Sequence, residues 1–369
     1  MSSNRFNIVE ISDIHFGNSR VSPELISAHL EKYLYPELKD IDLFVINGDT
    51  FDTLLNMNSS AGWYVARFID DVTTLALENK FYIRVVRGTF SHDRNQNQFF
   101  SVRGKDKLVL DEKPLIVVYN NLAIENFGKH NFLFCPDNLP YKDLTQEIID
   151  RIDAYHLKTV DCIFSHGYYN HLLPDNLPHI PTDTISWDRI RKRVSGYCVN
   201  GHVHHMGIHD RVISSGSFER MEHGVTEKVG FWKLSFDKKW TTAFVENKDA
   251  LAFRTFYPLN EDTDEHTRNR ILDYIETLYS NGYDKNCPIY IRLTGTDGGI
   301  LQSIKERYPK VITSVKTAKS IQDDPVASTT LYEELPDITE DNLPALIYNQ
   351  LKDRNLFSEK EIKELIDAL

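Results

Sequence analysis

The sequence predicts an α/β protein in which a sheet-based body covered by helices is followed by a smaller α/β unit. Two observations carry that reading. The first half alternates short apolar runs with segments of helical spacing, and near Glu246-Asn247-Lys248-Asp249 a strand-rich middle gives way to a new helix, strand and helix. A chain of 369 residues also exceeds one compact domain, so a large domain with a smaller appendage is the expected division.

Taken in order, Phe6 to Ile11, Ile41 to Asn47 and Phe81 to Arg87 read as buried strands. Ser22 to Tyr35 and Ser59 to Lys80 read as the helices between them, the second marked by Phe68, Val72 and Leu75. Further strands are expected at Leu115 to Tyr119, Asn131 to Cys135, Asp161 to Ser165, Tyr197 to Asn200, Arg211 to Ser214, Val229 to Phe236 and Thr241 to Val245. The second unit is expected to hold a helix at Glu265 to Ser280, a strand at Pro288 to Leu293 and a helix at Gly299 to Tyr308. The body thus covers 1–247, the second unit 248–320, and a polar, Pro-containing linker 321–337. Residues 338–369 carry two apolar stripes, one through Leu343, Leu346, Ile347 and Leu351 and one through Ile362, Leu365, Ile366 and Leu369. Ser358 and Glu361 fit a capping box that starts the last helix.

Composition of 41% hydrophobic and 26% charged residues is ordinary for a globular protein, and no apolar run nears the roughly 20 residues that span a bilayer. The opening MSSNRFNIVEIS lacks the basic and apolar regions of a secretory signal, so cytoplasmic residence without a membrane is expected. Cys135, Cys162, Cys198 and Cys287 show no C-x-x-C spacing, which argues against a zinc knuckle or a disulfide framework and for reduced packing residues. The net charge of -12 opposes a polyanionic partner. However, 12 acidic and only 4 basic residues fall in 321–369, so the rest of the chain is nearly neutral. A metal site attracts phosphate by itself, so a DNA substrate stays compatible with this charge, as does a small-molecule substrate.

The informative residues sit where the predicted strands end. Asp13-x-His15 follows the first, Gly48-Asp49 the second and Ser91-His92-Asp93 the third, while His166 and Gly201-His202-x-His204 follow later ones. Ligands bind at the carboxyl ends of strands in open α/β sheets, so these segments are expected to converge. A phosphodiester is hydrolysed in line when two cations about 3.5–4 Å apart hold the attacking hydroxide and neutralise the phosphoryl oxygens, which requires one bridging carboxylate. Asp49 is the natural bridge, with Asp13, His15 and His204 completing one ion and His166 and His202 serving the other. Imidazole and carboxylate without thiolate favour two octahedral ions, Mn²⁺ first and Fe²⁺ next.

These motifs, in this order, resemble the calcineurin-like metallophosphoesterases. Asn47-Gly48-Asp49-Thr50-Phe51-Asp52 looks like the G-D-x-F-D of SbcD-type DNA nucleases, and Gly230-Phe231-Trp232-Lys233 with Phe244-Val245-Glu246-Asn247 is similar to phage recombination nucleases of the same family. The resemblance implies a β-sandwich flanked by helices, a small α/β cap at 248–320 that positions DNA, and a C-terminal helical element at 338–369 that docks on an SbcC-like SMC-type ATPase. It further implies exonuclease and endonuclease activity in DNA recombination or repair, and a homodimer formed through catalytic-domain helices. Ser59 to Leu77, with Trp63, Phe68 and Ile69, is the candidate dimer surface, although such a helix more commonly buries the sheet.

One motif departs from the family. G-N-H-D or G-N-H-E is usual there, with the Asn on the second ion and the His facing the leaving group; this chain has Gly88-Thr89-Phe90-Ser91-His92-Asp93, two residues longer, with Ser91 where Asn would be. By resemblance His92 is the general acid, Asp93 its orienting partner and Ser91 a metal ligand. Arg87 and Arg94 flank the motif as candidate phosphate contacts or as solvated ion pairs, and Arg189, Arg191, Lys192 and Arg193 form a basic cluster with the same two readings. Asp52 either orients the site or caps a turn. Two rivals to the nuclease are a phosphatase or cyclic-nucleotide phosphodiesterase on the same fold, and a scaffold whose second-metal binding has been lost.

Overall fold

The computed structural model describes residues 5–103, 108–172, 184–223, 225, 227–257, 264–294 and 299–316. The expected linker and the C-terminal helical element, 321–337 and 338–369, lie outside the described residues. The protein is mixed α/β. Along the chain come β1 (Phe6–Ile11), α1 (Pro23–His29), β2 (Leu43–Asn47), α2 (Ser60–Asn79), β3 (Tyr82–Val86) and α3 (Gln98–Arg103). A small hairpin of β4 (Val109–Leu110) and β5 (Lys113–Pro114) leads to β6 (Ile116–Tyr119), β7 (Ala123–Phe127) and β8 (His130–Cys135). Then follow α4 (Leu144–Ala154), β9 (Cys162–His166), α5 (Trp187–Ile190), β10 (Cys198–Gly201), β11 (Gly207–His209), β12 (Val212–Ser214), β13 (Gly230–Phe236) and β14 (Trp240–Glu246). The last stretch holds β15 (Ala252–Phe256), α6 (Asp264–Ser280), β16 (Ile289–Thr294), α7 (Ile300–Arg307) and β17 (Val311–Lys316).

Two six-stranded sheets, ordered β14-β13-β1-β2-β3-β6 and β11-β12-β10-β9-β8-β7, face each other. Strand alternation assigns their sides. Ile8, Leu43 and Val45 of the first sheet meet Phe132, Phe134, Phe164 and Val199 of the second in a shared interior. On the first sheet's other face Val9, Ile11, Phe44 and Ile46 pack under Ile26 of α1 and Val65, Phe68 and Val72 of α2. On the second sheet's other face Leu133, Ile163 and Cys198 lie under Ile148 and Ile152 of α4 and Trp187 of α5. The body is therefore four layers, helix, sheet, sheet and helix. Arg84 of β3 spans the interior and forms a two-pronged pair with Glu125 of β7 at 2.6 Å for each prong, so its buried charge is matched.

Several elements depart from expectation. The helix expected through Tyr35 stops at His29 and continues as a π-turn, Leu30–Leu34, and a 3-10 turn, Tyr35–Leu38, where Pro36 withholds the donor a regular helix needs. Phe68 and Ile69 of α2 are core residues, so only Trp63 of the three named for a dimer surface is exposed. The helix α4 and the strands β7, β15 and β17 were not anticipated. β14 ends at Glu246 and β15 begins at Ala252, and the chain through Thr317 is one compact unit. Within it β15, β16 and β17 form a parallel three-stranded sheet whose Ile289, Ile291 and Leu293 pack against Ile271 and Ile275 of α6 and Ile304 of α7. Leu251, Phe253 and Tyr290 join the core of the first sheet, which ties this small unit to the body. Among the described residues no helix is long and apolar enough to cross a membrane.

Candidate metal centre

The strands β1, β2 and β3 run parallel, as do β8, β9 and β10, so their carboxyl ends share one edge of the two sheets. The chain turns sharply there. Asp13, His15, Asp49 and His202 all adopt left-handed backbone, with φ of 52, 53, 46 and 76°. A side chain of that kind at φ above zero is disfavoured and persists only where surrounding bonds enforce it. Two such bonds are Asp13 N–H to Gly48 O at 3.1 Å and His15 N–H to Asp49 O at 3.0 Å, which clip the first loop to the second. Gly48, itself at φ 88°, lies so close to His166 that a Cβ would strike the imidazole.

Asp13, His15 and His204 form a first group. The two Nε2 atoms are 3.3 Å apart, and Asp13 Oδ1 is 3.7 Å from that of His15 and 3.3 Å from that of His204. Those three edges leave a point about 2.0 Å from every corner, the length of a bond from a divalent transition metal to imidazole nitrogen or carboxylate oxygen. Asp13 Oδ1 is buried and receives no hydrogen bond, which is costly for a carboxylate unless a cation meets it. Its other oxygen is satisfied by Ser12 Oγ and by the backbone N–H of His202 at 3.1 Å. Buried His and Asp groups here can hold a metal ion.

Asp49, His166 and His202 form a second group. His166 Nδ1 donates to the Asn47 carbonyl at 2.8 Å, so Nε2, 3.2 Å from Asp49 Oδ2, is the nitrogen left for a ligand. Thr89 completes the group: its hydroxyl lies 3.1 Å from Asp49 Oδ2, 3.4 Å from His166 Nε2 and 3.2 Å from His202 Nδ1. Asp49 Oδ2 is also 4.0 Å from His15 Nε2, which joins the two groups through one carboxylate. Asp52 sits behind His15, its Oδ1 3.2 Å from Nδ1 and held by Asn18 Nδ2 at 3.0 Å; it orients the imidazole.

Charge divides this centre. Burial alone would lower His15, yet Asp13, Asp52 and Asp49 push its pKa up to about 10. His166 is likewise raised against the effect of burial, chiefly by Asp49. Burial would raise Asp49, but His166 and His15 bring it down to about 2, and His15 and His204 hold Asp13 well below the usual carboxylate range. His202 moves the other way, to about 4, through burial and the neighbouring His166. Beneath the centre Glu10, bonded to Ser215 Oγ at 2.7 Å, is pushed up to about 8 by burial. Asp13 and Asp49 are thus favoured as carboxylates and His15 and His166 as imidazoliums, opposite charges facing one another in a buried space.

No protein-family model matches this sequence, and no curated protein does. Among solved structures, one crystal structure aligns over 66% of this chain and 100% of its own, at 12% identity and a TM-score of 0.36, a similarity too slight to assign a fold.

The five strand-end motifs reach this edge, but not every residue in them reaches the centre. Ser91 is exposed; the hydroxyl among the ligand groups belongs to Thr89, directly after Gly88. Counting forward from Gly88, rather than back from His92, would have found it. Asp93 is not the partner of His92. It is fully buried, and its Oδ2 accepts from Gly88 N at 2.7 Å, Asp49 N at 3.1 Å and Asn97 Nδ2 at 2.7 Å, while Oδ1 accepts from Phe51 N at 3.2 Å. Its burial, with Asp49 nearby, raises it to about 6, and its work is to clamp the loops that carry Asp49 and Thr89. His92 is instead held by the Asp52 carbonyl, which accepts from Nδ1 at 2.7 Å, and its ring stands edge-on to His15 at 4.9 Å. Arg87 donates to the carbonyl of Asp137 at 2.6 Å, a structural post, whereas Arg94 is exposed. In the basic cluster Arg189, Arg191 and Arg193 pair with Asp143, Asp188 and Asp153. Asn47 and Ser12, which fix His166 and Asp13, had no signal in the sequence beyond their place next to the motifs.

Proposed function

We propose that this chain is a two-metal phosphodiesterase of calcineurin-like type, and specifically a DNA nuclease subunit resembling SbcD, built on that family's helix-flanked β-sandwich. The observation that carries the reading is the pair of ligand groups joined through Asp49, with Asp13 Oδ1 buried and unbonded at the centre of the first. Two divalent ions, Mn²⁺ first, would activate a hydroxide and neutralise the phosphoryl oxygens. Asp13, His15 and His204 would hold one, Asp49 both, and His166 and His202 the other, with Thr89 in the place first given to Ser91. The chain itself supplies a proton. With Nδ1 fixed on the Asp52 carbonyl, His92 has Nε2 free to protonate a leaving oxygen, and Asp52 sets both His15 and His92 from one loop. Recruitment by an SbcC-like ATPase is assigned to 338–369 on the strength of its apolar stripes and acidic surplus.

The test is a manganese-supplemented assay on linear duplex DNA, single-stranded DNA and a chromogenic monoester. Cleavage of DNA with little monoester turnover supports the nuclease; the reverse favours a phosphatase, and inactivity on all three favours a scaffold.

A further inference from the structure

The turn that begins with Thr89 has two faces, and only the inner one serves the ligand groups. Inward, Asp93, Gln96 and Asn97 are buried, and Gln96 fastens the turn to the neighbouring loop through Leu55 N at 2.8 Å and Thr53 O at 3.0 Å. Outward lie Phe90, 52% exposed, and Arg94, one turn later and joined to it by the bond from Arg94 N to Phe90 O at 3.1 Å. Arg94 is exposed. Leu54, 60% exposed, sits on the loop that Gln96 and His92 hold against this turn. Phe90 follows Thr89 directly, so an exposed phenyl ring is carried one residue from a side chain of the candidate metal centre.

We infer that Phe90 and Arg94 form a platform for a single nucleic-acid strand, Phe90 stacking on a base next to the phosphate at the metal centre and Arg94 neutralising a flanking phosphate. This rests on the phosphodiesterase reading and adds to it the feature of substrate that is recognised. A phenyl face stacks on any base, so the contact tolerates sequence but demands an unpaired, unstacked nucleotide. A guanidinium beside it adds a salt-dependent phosphate contact without reading the base. Phe90 and Ser91 are the two residues by which this loop exceeds the family pattern, so the platform belongs to this chain's own loop.

The test compares two strands of equal length with hydrolysis-resistant phosphorothioate linkages, one with bases and one abasic, binding to the full chain in Mn²⁺ by fluorescence anisotropy. Wild type should prefer the strand with bases. Phe90→Ala should reduce that preference roughly 5- to 150-fold, with Phe90→Trp restoring it and Phe90→Leu not. Arg94→Ala should weaken both strands alike and flatten the dependence on salt by about one phosphate contact, with Arg94→Lys retaining most of the affinity. Equal binding of both strands by wild type would overturn the inference. So would a Phe90→Ala variant that keeps its base preference, including one that merely loses a dimer in sedimentation. Cleavage of an ordinary strand is scored in parallel: base-dependent binding without cleavage removes the phosphodiesterase reading and keeps the platform, and cleavage without base dependence does the opposite.

Discussion

The metal edge and the small β15–β17 unit are built from opposite materials. In the small unit the interior is aliphatic, Ile289, Ile291, Leu293 and Ile304 among it, and between 252 and 316 the only described residues at positive φ are Gly282 and Gly299. At the candidate metal edge Asp13, Asp49, Thr89, Asp93 and His166 are buried, four Asp and His residues are left-handed, and one carboxylate oxygen meets only imidazoles, without a hydrogen bond. The first arrangement is what hydrophobic burial makes without help. The second lowers stability wherever it is considered alone, and persists because Asp93, Asn47 and Ser12 bond the loops into place. Strain and buried charge concentrated in this way are the observations on which the proposed chemistry rests.

That contrast can be broken by experiment. Asp49→Asn should remove manganese-supported diester hydrolysis by several orders of magnitude, because one carboxylate serves both groups; undiminished turnover would sink the two-ion assignment. His92→Asn should slow cleavage roughly 10²- to 10⁴-fold with manganese content near wild type, and a parallel loss of metal would make His92 a ligand instead. Ile291→Ala in the small unit should cost about 2–5 kcal/mol in denaturant unfolding and leave manganese affinity untouched. If its metal affinity fell too, the two regions would not be separable. Thr89→Val should weaken manganese binding roughly 10- to 100-fold while Ser91→Ala does nothing, read by calorimetric titration.

The smallest effect is one of pH. His15 and Glu10 are raised in the folded chain, to about 10 and about 8, so their stabilising contributions are complete below their unfolded values and are lost as pH rises through the folded ones. Metal-free protein should therefore melt at lower temperature as pH climbs from about 6.5 to 9, whereas the gain from added Mn²⁺ should grow, since the metal must displace the His15 proton. In the contact between small unit and body the sign reverses: His223, lowered to about 4 by burial and by Arg292 and Arg20, loses stability as pH falls from about 6.5 towards 4. A chelated protein whose melting temperature rose between pH 6.5 and 9 would contradict the assignment at the metal edge.

The interior strands were legible because their apolar runs are bounded by the motifs themselves, as Leu43–Asn47 is by Gly48-Asp49. The grouping of Asp13, His15, Asp49, His166, His202 and His204 at one edge was legible for the same reason, since each ends or closely follows a buried strand. What escaped was decided by backbone bonding between segments distant in sequence. Asp93 looks like a partner for its neighbour His92, yet the N–H groups of Gly88, Asp49 and Phe51 capture it. Ser91 and Thr89 are both hydroxyls, and only the path of the turn decides which points inward. The helix α4 differs in carrying its own signal, with Asp143 as its cap and Ile148 and Ile152 on one face. β7 and β15 are short and interrupted by polar residues, so period alone could not separate them from loops.

The backbone of His202 bonds Asp13, 189 residues earlier, and His204 lies as far from His15. That separation has a meaning in time. A chain emerging from the ribosome carries Asp13, His15, Asp49 and His166 once β9 is made, but neither ring that closes the two groups. Loop closure over such a distance comes late in folding, after the nearby strands have paired. The proposed metal binding would therefore wait for β10 and the turn beyond it, since a half-made chain carries only part of the two candidate groups. If the proposed ions bind, they do so only to a chain that has already brought the end of β10 against that of β1, while β13, which pairs with β1 in the first sheet, is still to follow.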